Sequence, residues 1–361
     1  MAVTLHDVAL RAGVSIKTVS NVVNGYAHVS HSTRTVVEQA VAELGYRPNL
    51  SARSMRGGRS GVIALAVPEL GSPYFAELAQ SVIRAAERKG FIVLIDQTEG
   101  RTDRERLVAR GIRGQLIDGL IFSPLALDSE ELASRTDTVP MVLLGERIAG
   151  TVDHVIIDNV AAAQLAVSHL ADLGRTRIAA VGAQHSRVGE TARLRLAGYR
   201  EGLAEAGLPY LAELVTETPS YHRHDGYAAM ARLLDDGAQP DAVFAFNDLN
   251  AIGVLRCCHD RGIRVPEDVA VVGFDDVEEG RYSLPTLSTI SPDKDFIGRV
   301  AVDLLADRLA ATRPPGQRTG AGPDGPAPVE ASRDGDGLQA RELVAPHRLE
   351  VRESTAGRGK R

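Results

Sequence analysis

The stretch "TLHDVALRAGVSIKTVSNVVNG", Thr4 to Gly25, decides how the start of the chain folds. Thr4 suits a helix N-cap. Asp7, three residues on, completes a capping box and faces the positive end of the helix dipole. Leu5, Val8, Ala9 and Ala12 then recur on one face at helical spacing. Gly13 stops the helix and allows a tight turn. Ser15 caps a second helix, over about 16–23, which ends at Asn24-Gly25. In that helix Val19, Val22 and Val23 form the inner stripe. Ile16, Lys17, Ser20 and Asn21 lie on the other side or at the exposed N-terminal end.

A third helix follows a Ser30 cap, with Val37, Val41 and Leu44 at helical spacing and Gly45 as its stop. Three short helices, with a three-residue turn between the first two, predict a helix-turn-helix unit. Its second helix is the element that fits the major groove of B-DNA. A bundle with a purely structural role would show the same periodicity, so charge has to separate the two readings. Residues 1–60 hold seven Lys and Arg against three Asp and Glu, a net charge of +4. The remainder holds 34 against 44, or −10, so the chain's overall −6 hides a basic head on an acidic body. Such an asymmetry suits one part that meets an anionic polymer and another that does not.

The next stretch is "RPNLSARSMRGGRSG", residues 47–61. Pro48 bars helix before it, and Asn49 can cap a new turn. Leu50 to Arg56 is helix-compatible until Gly57-Gly58. Two turns of helix are marginal in isolation. Arg47, Arg53, Arg56 and Arg59 make the stretch either a basic linker or a helix that forms only when DNA and a second subunit supply contacts.

From Gly61 short apolar runs alternate with helical stretches. The runs are "GVIALAV", "FIVLID", "DGLIF", "PMVLLG", "HVIID", "RIAAVG", "DAVFAF" and "DVAVVGFD". Helices are expected over 74–89, 161–173, 192–206, 226–235 and 250–261. Continuous Val, Ile and Leu runs between helices predict parallel strands buried on both faces. The strands are too many for one small sheet, and a break near Asp158-Asn159 suggests two Rossmann-like lobes. Ligands of such folds bind at the carboxyl ends of strands, often between lobes. Those positions hold Ser72, Tyr74 and Phe75 in "PELGSPYF", then Ser123, Glu146-Arg147, Asn247-Asp248 and Asp275-Asp276. Arg195 in "TARLRLAGY" and Tyr221 in a loop join them. Aromatic rings to stack and Asp, Asn and Arg to bond hydroxyls suit a sugar; a nucleoside or another small polar metabolite would use a similar set.

Other classes fit poorly. No apolar run is long enough to cross a bilayer, and residues 1–13 lack a signal-peptide layout, so a cytoplasmic protein is expected. The two cysteines, Cys257 and Cys258, are adjacent and read as packing residues. No metal-ligand spacing occurs, and no GxSxG, P-loop, HExxH or strand-following GxGxxG motif. Neither an enzyme nor a cofactor or metal is expected. Residues 312–338 are rich in Pro, Gly and polar residues and read as a disordered insertion.

The segments "VTLHDVALRAGVS", "TVSNVVNG", "VSHSTRTVVEQAVAELGYRPN" and "ARSMRGGRSG" resemble the DNA-binding head of the lactose-repressor (LacI/GalR) family through nearly every position of residues 3–61. "ELGSPYFAEL", "RLRLAGYREGL", "FAFNDLNAIGVL", "RVPEDVAVVGFDD" and "LPTLSTI" resemble its periplasmic-binding-protein-like core. The resemblance implies a helix-turn-helix domain at 1–46, a hinge helix or linker at 47–60 and a two-lobed effector-binding and dimerisation domain at 61–361. It puts Ile16, Lys17 and Asn21 where the family reads bases, and Thr18, Ser20, His28, Ser30 and Thr33 where it touches phosphates. Asn49, Ala52, Arg53 and Met55 fall in the hinge that enters the minor groove. Met55 takes the place where relatives usually carry a leucine wedge. In the core it implies that Phe75, Arg195, Tyr221, Asn247 and Asp275 line the effector cleft. The expected protein is a homodimeric, ligand-controlled transcription regulator, a repressor of a palindromic operator with a sugar as effector. A solute-binding protein for transport is the alternative; it shares the body but has no use for residues 1–60.

Overall fold

The computed structural model describes residues 3–23, 26, 29–46, 59–111, 116–133, 139–145, 152–184, 190–311 and 339–357. The chain forms two compact units, Met1–Ser60 and Gly61–Arg361. Three helices make up the described part of the first: α1 (Leu5–Ala12), α2 (Ile16–Val23) and α3 (His31–Leu44). The Thr4 hydroxyl accepts from the Asp7 N–H, and the Asp7 carboxylate accepts from the Thr4 N–H, which closes the capping box. Gly13 and Gly45 end α1 and α3 with φ of 67° and 61°, in the left-handed region that costs glycine least. Val8, Ala9, Val19, Val22, Val37 and Ala40 form a small core, with Leu5, Ala12, Val23, Val41 and Leu44 packed around it. Arg11 pairs with Glu43 and ties α1 to α3.

The second unit holds two six-stranded sheets. The strands of the first are β1 (Val62–Val67), β2 (Ile92–Gln97), β3 (Gly119–Phe122), β4 (Met141–Leu144), β5 (Asp153–Ile157) and β11 (Glu342–Ala345), in the order β11-β5-β4-β3-β1-β2. The second contains β6 (Ile178–Ala183), β7 (Val215–Glu217), β8 (Ala242–Ala245), β9 (Ala270–Phe274), β10 (Ser288–Pro292) and β12 (His347–Glu350), in the order β12-β10-β9-β8-β6-β7. All pairings are parallel except β10 with β12. Strands β1, β3, β4, β6, β8 and β9 are buried along their whole length, as continuous apolar runs require. The expectation of burial on both faces fails at β2. It lies at a sheet edge, with Ile92, Leu94 and Ile95 exposed.

Helices cover both sheets. In the first lobe they are α4 (Pro73–Arg88), α5 (Thr102–Ala109) and α6 (Ser129–Ala133). In the second they are α7 (Asn159–Asp172), α8 (Glu190–Glu205), α9 (Arg223–Asp235), α10 (Asp248–Asp260), α11 (Glu278–Arg281) and α13 (Glu353–Ala356). The last long helix, α12 (Lys294–Ala311), follows β10 of the second sheet yet packs on α4 and on β3 to β5 of the first. The chain therefore crosses between lobes three times: at Asp158, at Asp293 and at Pro346. Close helix approach in the second lobe depends on a glycine, because a Cβ at Gly253 would stand 2.0 Å from the Arg223 carbonyl oxygen.

A buried carboxylate closes the first lobe. Asp153 is fully buried and takes a bidentate pair from Arg308 at 2.9 and 2.6 Å, with the Arg341 guanidinium at 3.0 Å. Burial alone would raise the Asp153 carboxyl, but the two arginines override it and hold it below the usual carboxylate value. Arg308 precedes and Arg341 follows the Pro/Gly-rich residues 312–338, which lie outside the described residues.

Candidate functional site

On the head, α2 turns Val19 and Val22 inward and leaves Ile16 and Lys17 exposed, Ile16 at 40%. Asn21, Thr18 and Ser20 are half-buried on its flanks. The Ser15 hydroxyl accepts from the Thr18 N–H at 3.1 Å and lies 2.8 Å from the Thr18 hydroxyl, so both sit at the N-terminus of α2. Ser30 and Thr33 repeat the arrangement at the N-terminus of α3, at 3.3 and 2.8 Å. His28 and the hinge residues Asn49, Ala52, Arg53 and Met55 lie outside the described residues.

In the core, a cleft of about 720 Å³ opens between the lobes at the carboxyl ends of the strands. Of the residues singled out in the sequence, Ser72, Tyr74, Phe75, Ser123, Arg195, Tyr221, Asn247 and Asp275 all line it. Glu146 lies outside the described residues. The first lobe supplies the N-terminal turn of α4, where Tyr74 and Phe75 meet edge to face with ring centroids 5.1 Å apart. The second supplies Arg195 from α8, Tyr221 from the loop before α9, Asn247 after β8 and Asp275 after β9.

Arg195 is held by three kinds of contact. Its Nε donates to the Asn159 side-chain oxygen at 2.8 Å, and Nη1 donates to the Phe246 carbonyl. Its guanidinium lies 3.4 Å over the Phe274 ring, a cation–π stack. Nη2 is left 3.8 Å from the Asp275 carboxylate. Asn247 serves two neighbours: its oxygen caps α10 at the Asn250 N–H, and its amide donates to the Tyr221 carbonyl. Asp275 and Asp276 sit at φ of 110° and 49°, a conformation that non-glycine residues rarely adopt and that surroundings must impose.

Behind this wall stands Asp248, fully buried on α10. It accepts from the Thr289 hydroxyl at 2.6 Å and from the Val277 N–H at 2.9 Å. A Cβ at Gly273 would meet its carboxylate at 2.2 Å, so that glycine makes room for it. Burial, with the nearby Asp275 charge, pushes the Asp248 carboxyl well above the usual range. Burial would do the same to Asp276, but Arg352 and Arg281 hold it down. Ser291 donates to Asp276 at 3.0 Å and is not among the residues that line the cleft. Cys257 and Cys258 are packed in the second-lobe core, and burial pushes the Cys258 thiol up to about 12.

Sequence reasoning missed Glu69, Gln97, Gln184 and Thr191, which line the same cleft together with His222. Gln97 and Gln184 stand at or just after the ends of β2 and β6, so the strand-end rule was enough to find them. The meeting of Glu69 with His222 needed the fold, because they approach from opposite lobes to 3.6 Å.

A two-lobed α/β core with a polar cleft between its lobes, preceded by a helix-turn-helix unit, defines a class of ligand-binding regulators of DNA. Residues 4–49 match the family of bacterial regulatory proteins, lacI family, and residues 167–324 match a periplasmic binding protein-like domain. The chain is 34% identical over 298 residues to the HTH-type transcriptional regulator DegA of Bacillus subtilis, covering 81% of this chain and 87% of that one. It is similar to the transcriptional regulator CelR solved with cellobiose, at 31% identity and a TM-score of 0.68, over 98% of this chain and 99% of that one. It is also similar to the lac repressor dimer solved with operator and the anti-inducer ONPF. There the identity is 28% and the TM-score 0.79, over 99% of this chain and all of that one. This chain belongs to the lacI family of bacterial regulatory proteins and is a DNA-binding transcriptional regulator. Among the described residues no helix is long and apolar enough to cross a membrane.

Proposed function

We propose that the chain is a homodimeric repressor that binds a palindromic operator through its two heads and releases or grips it according to a small neutral sugar in the cleft. The observation that carries the ligand reading is the cleft itself. Tyr74 and Phe75 supply apolar faces, while Arg195, Asn247 and Asp275 supply donors and acceptors fixed from behind. Those are the groups that sugar hydroxyls and a sugar's apolar face require. A volume of about 720 Å³ accommodates one or two sugar rings. A similar regulator was solved with cellobiose, which supports the same ligand class. The carboxylates of Glu69, Glu99 and Asp275 outnumber Arg195 at the lining and oppose phosphorylated ligands.

On the head, Ile16, Lys17 and Asn21 read bases in the major groove. Thr18, Ser20, His28, Ser30 and Thr33 contact phosphates, the hydroxyls of Thr18, Ser30 and Thr33 lying at helix N-termini. The hinge at 47–60, with Asn49, Ala52, Arg53 and Met55, enters the minor groove. The dimer buries the exposed apolar residues of the core, Ile92 and Leu94 on β2 with Tyr282 and Leu284, the last two 78% exposed. Such a protein works in the cytoplasm, beside its DNA, and catalyses no reaction. Selection of duplexes from a random pool by the full-length protein tests this: a two-fold symmetric consensus is expected, and no enrichment overturns the reading. A thermal-shift screen of mono- and disaccharides and nucleosides tests the ligand class; a response to nucleosides alone overturns the sugar.

A further inference from the structure

Lys294 opens α12 just after the chain leaves the second sheet. Its ammonium is largely buried, with the side chain 14% exposed. It donates to the carbonyl oxygens of Asp275 and Asp276, the latter at 3.0 Å, and pairs with the Glu77 carboxylate at 2.8 Å. Asp275 and Asp276 are both held at positive φ, and the Asp275 side chain faces the cleft. Glu77 lies on α4, less than one turn beyond Tyr74 and Phe75. Its other carboxylate oxygen accepts from the Glu278 N–H, in the second lobe, at 3.0 Å.

The lobe to which each group belongs gives the arrangement its meaning. Asp295, next to Lys294, accepts from Ser81 at 2.6 Å and Arg84 at 2.7 Å, both on α4. Lys294 and Glu77 therefore move together with the first lobe. The carbonyls of Asp275 and Asp276 and the Glu278 N–H belong to the second. Two paired charges of one lobe thus grip the backbone of the other beside the residue that meets the ligand. An exposed ion pair would hold little. This one is partly buried and tied to three backbone groups, so rotating the lobes breaks several bonds at once.

We propose that Glu77 and Lys294 form a latch that sets the angle between the lobes and passes ligand engagement at Asp275 to α4. The proposal rests on the reading of the cleft as the effector site. Both are positioning residues that act through the backbone of residues 275–278.

The test uses full-length protein carrying spin labels at Arg110→Cys on the first lobe and Asp236→Cys on the second, diluted with unlabelled chain. Both positions are exposed, and the native Cys257 and Cys258 are fully buried. The parent is expected to give one narrow interlobe distance. Lys294→Met and Glu77→Gln are each expected to shift or broaden it beyond the parent's width. The double variant should do no more than the stronger single one, since the two act as a unit. Affinity for the duplex selected by the parent should change about tenfold in Lys294→Met. An unchanged distance distribution in both variants overturns the latch, as do strictly additive effects. If Lys294→Met fails to fold, Glu77→Gln decides alone, because it keeps an acceptor for the Glu278 N–H. If no duplex is enriched, the DNA reading fails while the distances still judge the latch.

Discussion

The head and the cleft solve opposite problems. Among the described residues of the head the core joins residues 3 to 46, close in sequence, and Ile16 and Lys17 are exposed. In the cleft the key side chains are held by other protein groups: Arg195 engages Asn159, the Phe246 carbonyl and the Phe274 ring. A DNA reader presents adaptable side chains on a rigid helix. A ligand site is pre-organised, so less ordering opposes binding.

The contrast can be broken most strongly at the non-local clamp of the core. Asp153→Ala removes a fully buried carboxylate from the half-buried Arg308 and the more exposed Arg341 and should cost the core about 3 kcal/mol. Urea unfolding followed by far-UV circular dichroism would show it; a loss near zero would mean the clamp is ornamental. Next comes Arg195→Ala. It should weaken the ligand found in the thermal-shift screen by about a hundredfold, a few kcal/mol of lost charged hydrogen bonding, and leave duplex affinity without ligand unchanged. Calorimetry and fluorescence anisotropy report the two halves separately. On the head, Lys17→Ala should cost about 1–3 kcal/mol of discrimination between the selected duplex and a scrambled one. Equal weakening on both would make Lys17 a phosphate contact instead.

The smallest effect is one of pH. Asp248 has a raised carboxyl, so the folded chain keeps a proton that the unfolded chain releases above about pH 4. Its contribution is therefore complete at low pH and is lost as pH rises toward the folded value. Asp248→Asn, which keeps one oxygen to accept a hydrogen bond and cannot ionise, removes that slope. Relative to Asp248→Asn, the parent should lose up to about 1.4 kcal/mol per pH unit over that window. Parallel stability curves would show that Asp248 stays ionised.

The same contrast explains what could be read from the sequence. The capping box at Thr4 and Asp7, the Ser30 cap and the valine stripe of α2 follow local rules, and the helices of the head stand where those rules put them. The buried strands β1, β3, β4, β6, β8 and β9 are equally plain, because Val, Ile and Leu runs have few alternatives, whereas β10, STISP, is as buried but too polar to stand out. Arg195 and Asp275 were found as cleft residues, yet their mutual approach depends on α8 and β9 meeting across eighty residues. Glu69 with His222, and Glu77 with Lys294, were invisible because each pair joins different lobes. The α12 crossover was missed for the same reason: nothing local says that a helix following a second-lobe strand will pack on the first lobe. The exposed side chains of β2 escaped notice because edge position is a property of the sheet, not of the strand.

The central claim is that occupation of the cleft changes the grip of the head on DNA. Fluorescence anisotropy of the selected duplex, titrated with full-length protein with and without saturating ligand from the screen, tests it directly. The expected result is a change in operator affinity of about tenfold or more, lost in Arg195→Ala. Superimposable titrations, with calorimetry showing the ligand bound, would contradict it.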